Sequence, residues 1–165
     1  MDVSNLKNNE LIVAYSSIVK EMKKRNIIRT KNVLGDLAEY FAIEFYRNTP
    51  NLPNLQAAPV GTQNIDAISR TGDRYSIKAT SNTATGIFTG LQPKGSTEPD
   101  KQKFEYVIIC QFDDDCYLKA IYQLDWDAFI KHKRWHSTMK AWNINLSKDT
   151  LRDAKTIYLA EEVKL

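Results

Sequence analysis

The chain has 165 residues, 42% of them hydrophobic and 26% charged, with a net charge of +3. That length fits one domain with room for a real core, and the mild basicity permits a nucleic-acid partner without demanding one. No apolar run approaches a membrane span, no basic-then-apolar leader opens the chain, and the two cysteines form no CxxC or Cys/His cluster suited to zinc. The expectation is a reduced, cytoplasmic protein with no membrane contact and no small-molecule cofactor.

In chain order, residues 4–24 form the first helical pattern. Leu11, Ala14, Tyr15, Ile18, Val19 and Met22 recur at helical spacing. The stripe reads as a face packed on the core or as a dimerisation surface. A second helix is expected over 32–46, with Asn32 as N-cap and Pro50 beyond its end. Its apolar face is Leu34, Leu37, Ala38, Phe41 and Phe45, and Glu39 lies at the margin beside Gly35 and Ala42. A Pro/Asn-rich loop then leads to a short extended run ending at Val60.

Two alternating runs, 64–68 and 74–78, flank Thr71, Gly72 and Asp73 and predict a β-hairpin. A turn centred on Gly72 sets Asp66 opposite Lys78. Side chains alternate along a strand, so Asp66, Ile68, Ser76 and Lys78 share one face and Ile65, Ala67, Tyr75 and Ile77 the other. Residues 80–103 read as a long polar loop with a short strand near Phe88, and long loops in compact domains are commonly functional. Strands are expected over 104–112, where Cys110 is a small buried hydrophobe, and over 117–124. A short helix follows at 126–133, another begins at Ser147, and a strand closes the chain at 156–160. His132 and His136 are four apart, as on one helix face, but no further ligand pattern joins them.

The helix bearing Gly35, Asp36 and Glu39, the strand bearing Asp66, and the strand bearing Ser76 and Lys78 come in an order that resembles the restriction-endonuclease-like, or PD-(D/E)xK, nuclease superfamily. The resemblance covers roughly residues 32–124 and is of moderate specificity. It implies an α/β fold, a central mixed β-sheet flanked by helices. It also implies a single domain: residues 1–31 an N-terminal helix, 32–124 the core, 125–165 a helical and basic extension. One departure matters: Ser76 stands where the superfamily usually has its middle acid. Hydroxyls are poor ligands for hard cations, so Glu39 is the expected substitute, ahead of Glu98 and Asp100.

On this reading the site holds Mg²⁺, with Mn²⁺ as the alternative cation. Its ligands are Asp66, Glu39 and the Ile77 carbonyl. Lys78 orients or deprotonates the attacking water, or stabilises developing charge. Ser76 hydrogen-bonds a ligand water, and Gln63, read on the face of Asp66, contacts that water or the phosphate. The bland counterpart is a cross-strand ion pair between Asp66 and Lys78, worth under about 1 kcal/mol where exposed.

Residues 131–136 interleave Lys131, His132, Lys133 and Arg134 with Trp135. That mixture suits phosphate contact and base stacking, or a helix that buries Trp135 and Trp142. Lys94, Lys101 and Lys103 are further candidates for DNA contact. The expected activity is a Mg²⁺-dependent endonuclease on double-stranded DNA, a type II restriction or phage-defence enzyme acting as a homodimer. The rival is an inactive module of the same fold that binds DNA or a partner.

Overall fold

The computed structural model describes residues 2–59 and 61–161; Val60, at the end of the expected extended run, lies outside them. Four helices accompany the strands: α1 (Asn8–Lys24), α2 (Val33–Asn48), α3 (Trp126–His132) and α4 (Lys148–Asp153). The central sheet has six strands in the order β1 (Leu55–Ala57), β2 (Ala67–Ser69), β3 (Arg74–Thr80), β4 (Tyr106–Phe112), β5 (Leu118–Asp125) and β8 (Lys155–Leu159). It is mixed: β3 and β4 run parallel, and the other neighbours are antiparallel. The α/β class and the mixed sheet are as the sequence implied.

Alternation along β4 explains the two layers. Ile108, Cys110 and Phe112 face α2, where Ala38, Ala42 and Tyr46 complete one buried cluster with Tyr75 and Ile77. Val107 and Ile109 face the other way, into Phe88, Phe104, Phe129 and Ile144. A strand covered on both faces reads as a continuous apolar run, as 106–110 does. Cys110 is fully buried, and burial pushes its thiol far above the usual range. Asn32 caps α2, its side chain accepting from the Gly35 N–H at 3.3 Å. Ser147 caps α4 in the same way.

Several expectations are corrected. No residue of α1 is buried, so its stripe is not packed on the core. Residues 133–144 form no helix. They make a hairpin, β6 (Lys133–His136) and β7 (Ala141–Ile144), with Trp135 opposite Trp142 and the rings 5.2 Å apart. His132 ends α3 and His136 lies in β6, so they share no helix face. Within the expected extension, β8 closes the sheet and Phe129 and Ile144 enter the core. The long loop is pinned along β7: Phe88 N–H donates to the Trp142 carbonyl at 2.7 Å and Thr85 N–H to that of Ile144 at 2.9 Å. The short strand expected there is reduced to isolated bridges at Ala84 and Phe88.

Candidate functional site

The site begins where β2 stops. Ala67 pairs with Tyr75 and Ile68 with Arg74, so the hairpin turn centres on Thr71, one residue before the expected Gly72. Asp66 is therefore not opposite Lys78. It lies beside Ser76 and Ile77, its N–H donating to the Tyr75 carbonyl at 2.8 Å. The shift of two in the partner preserves the faces. Tyr75 and Ile77 point to α2, while Ser76 and Lys78 point to the opposite side. Beyond this point no strand among the described residues pairs with the outer edge of β3. The Asp66 carboxylate takes the place of the next ladder partner: Oδ2 accepts from the Ile77 N–H at 2.6 Å and from Ser76 Oγ at 3.4 Å. Among the described residues Oδ1 accepts no hydrogen bond.

The notch so formed is a cleft of about 290 Å³ whose walls include Gly35, Glu39, Asp66, Ile77, Lys78 and Gly86. The expected ligands and the expected lysine therefore do converge. Lys78 forms no salt bridge among the described residues. Its Nζ lies 4.9 Å from the centre of the Phe88 ring, which removes the plain cross-strand ion pair as its explanation. Ser76 is fully buried. Its hydroxyl donates to the Asp66 carboxylate at 3.4 Å.

Glu39 occupies the junction of this cleft with a second hollow of about 400 Å³, which Asp66 also lines. Burial pushes the Glu39 carboxyl above its ordinary range; the Asp66 charge pushes the same way, the Arg29 guanidinium opposes it, and Asp36 adds to it. Two carboxylates that repel one another across a cleft form a donor set that a hard cation would relieve. Glu39 is at present ion-paired with Arg29. Among the described residues no group of three or more His, Cys, Asp or Glu side chains could hold a metal. Glu39, Asp66 and Ile77 line the cleft together.

Arg29 is the residue that sequence reasoning missed. Its backbone is fixed by Asp36, which is 6% exposed and accepts from the N–H of Arg29 at 2.7 Å and of Thr30 at 2.5 Å. Burial opposes the Asp36 charge, but the bonds from Thr30 and Arg29 outweigh it and leave the carboxyl below its usual range. Asp36 and Glu39 stand one helical turn apart, so both grip residue 29, one by its backbone and the other by its side chain.

The remaining candidates divide. Gln63 precedes Asp66 by three residues, in an exposed turn outside β2, so strand alternation does not apply to it. Its amide lies near Gly90, as does Lys103. Lys94, Lys101 and Arg134 are exposed, whereas Trp135 is half-buried against Trp142. Lys133 is ion-paired with Asp100, with side chains only 13% and 6% exposed, and lies 4.2 Å above the Trp142 ring. That lysine is engaged inside the fold by Asp100. Asp100 is likewise committed, accepting also from Gln92 N–H at 2.6 Å, and Glu98 accepts from the Gln92 amide at 3.2 Å. His132 pairs with Asp153 at 2.7 Å. No helix among the described residues is long and apolar enough to cross a membrane.

No protein-family model matches the chain, and no curated protein matches its sequence.

Proposed function

We propose that the protein is a Mg²⁺-dependent endonuclease of the restriction-endonuclease-like kind that hydrolyses DNA phosphodiester bonds, as a type II restriction or phage-defence enzyme. The observation that carries this reading is the convergence of Glu39, Asp66, Ile77 and Lys78 on one cleft at the unpaired edge of β3. Glu39, Asp66 and the Ile77 carbonyl would hold Mg²⁺, or Mn²⁺ in its place. When bound, such an ion supplies Lewis acidity and a water of lowered pKa.

The chain's own groups do the rest. The Ile77 N–H and the Ser76 hydroxyl hold one oxygen of Asp66 and leave the other for a ligand. Lys78, unpaired and carried on a rigid strand, orients the attacking water and stabilises the negative charge that gathers on the phosphate. Arg29 neutralises Glu39 until a ligand competes for it. Exposed Lys94, Lys101 and Arg134 suit phosphate contacts outside the cleft. Cutting both strands of a symmetric duplex site calls for a homodimer.

The Arg29–Glu39 pair and the serine at position 76 favour one other reading, an inactive nuclease fold that binds DNA or a partner. Incubating supercoiled plasmid with and without Mg²⁺ separates the two. Cutting or nicking by the parent, lost in Asp66→Ala and Lys78→Ala, is the expected result. A salt-sensitive gel shift without cutting would hand the protein to the binding reading, and no DNA interaction at all would defeat both.

A further inference from the structure

Helix α1 buries no residue in the core, yet three apolar side chains of its stripe stand open to solvent, Leu11 and Ile18 at 45% and Tyr15 at 64%, as do Ile12 and Val13 beside it. A helix of 17 residues is marginal alone in water, and burial of one face is what ordinarily sustains it. Leu11, Tyr15, Ile18 and Met22 follow at intervals of four, three and four, which is the a/d spacing of a helix-pairing seam.

The seam is self-complementary under reversal. Its midpoint falls between Ser16 and Ser17. A second α1 turned end for end sets Leu11 across from Met22, Tyr15 across from Ile18, and Ala14 across from Val19. The larger side chains thus meet one another, and the smaller Ala14 meets Val19, along one apolar seam. The two serines do not disturb it: Ser16 Oγ donates to the Ile12 carbonyl and Ser17 Oγ to that of Val13, each at 2.9 Å.

Charge selects the same arrangement. Residues 7–16 carry Lys7 and Glu10 and are neutral, whereas residues 17–25 carry Lys20, Lys23, Lys24 and Arg25 against Glu21. Parallel pairing would lay one basic end upon the other. Antiparallel pairing sets each basic end beside a neutral one and opposes the helix dipoles favourably. We propose that α1 is a two-fold surface that pairs antiparallel with α1 of a second copy of this chain. The inference is independent of the cleft and stands whether or not the protein cuts DNA.

Sedimentation equilibrium of the full chain should give a mass approaching twice 18.9 kDa as concentration rises. Ile18→Glu and Tyr15→Glu should each return the monomer, with a melting curve that matches the parent's at concentrations where the parent is itself monomeric, since neither side chain is part of the core. Direction is read by cross-linking in a Cys116→Ser background, because Cys116 is exposed. A mixture of Leu11→Cys and Met22→Cys chains should oxidise to a linked pair, and either variant alone should not. A monomer at every concentration overturns the proposal. So do a dimer that survives both Glu substitutions, a Leu11→Cys chain that links to itself, and a monomer that instead sediments with anionic lipid vesicles.

Discussion

Lys78 and Lys133 each hold an amine over an aromatic ring, Lys78 over Phe88 and Lys133 over Trp142, and those two aromatic residues are joined by a backbone hydrogen bond of 2.7 Å. In the hairpin, Asp100 comes from 33 residues away, held by Gln92, and meets Lys133 inside the fold. In the cleft no acid among the described residues pairs with Lys78, although Asp66 lines the same walls. The first arrangement is closed; the second leaves an amine and a carboxylate oxygen uncommitted among the described residues. A basic residue beside an aromatic one is therefore uninformative by itself. What separates scaffold from site is whether the fold brings up the counter-charge.

Substitutions ought to separate the two regions by readout, and Asp66→Ala carries the largest effect. It should lower Mg²⁺-dependent cleavage by at least about 10³-fold, the several kcal/mol expected of a lost metal ligand, measured on plasmid under single-turnover conditions. Lys133→Ala should instead cost about 3–5 kcal/mol of stability in urea unfolding, since it strands Asp100 as a buried charge, while the folded fraction cuts normally. A stable Lys133→Ala chain with weak DNA affinity would reverse the contrast. Lys78→Ala should slow cleavage by roughly 10²–10³-fold with little change in the urea midpoint.

Smaller effects refine the cleft. Asp36→Asn should destabilise by about 1–3 kcal/mol at neutral pH and loosen Arg29. Its native carboxyl titrates below the unfolded value, so its contribution is present above the ordinary carboxylate range and is lost as pH falls through the lowered native value. The deficit of Asp36→Asn against the parent should then shrink in acid. Arg29→Gln should tighten Ca²⁺ binding by roughly fivefold, the scale of a half-exposed ion pair, when read by calorimetry without DNA. Unchanged or weaker binding would mean that Arg29 does not compete for Glu39.

Much of this was legible in the chain. The apolar run at 106–110 marked a strand covered on both faces, Asn32 and Ser147 marked helix starts, and the resemblance pointed to Glu39, Asp66 and Lys78, which line one cleft. The register was not legible, because Gly72, at φ +92°, sits just past the centre of the turn and not at it. The β6–β7 hairpin was hidden because its partner strand and the loop that clamps it are tertiary choices, which override local helical spacing. Arg29 was hidden because Asp36 holds its backbone from across a chain reversal. The α1 stripe announced burial but not against what, since a single apolar face serves a core or a second copy equally.

The most direct test of the cleft is a crystal structure with duplex DNA and Ca²⁺, which should fill the site without supporting cutting. A Ca²⁺ ion about 2.3–2.6 Å from oxygens of both Asp66 and Glu39, with Lys78 turned toward the scissile phosphate, is the predicted result. An ion bound elsewhere, or one more than about 3 Å from the Asp66 carboxylate, would contradict it.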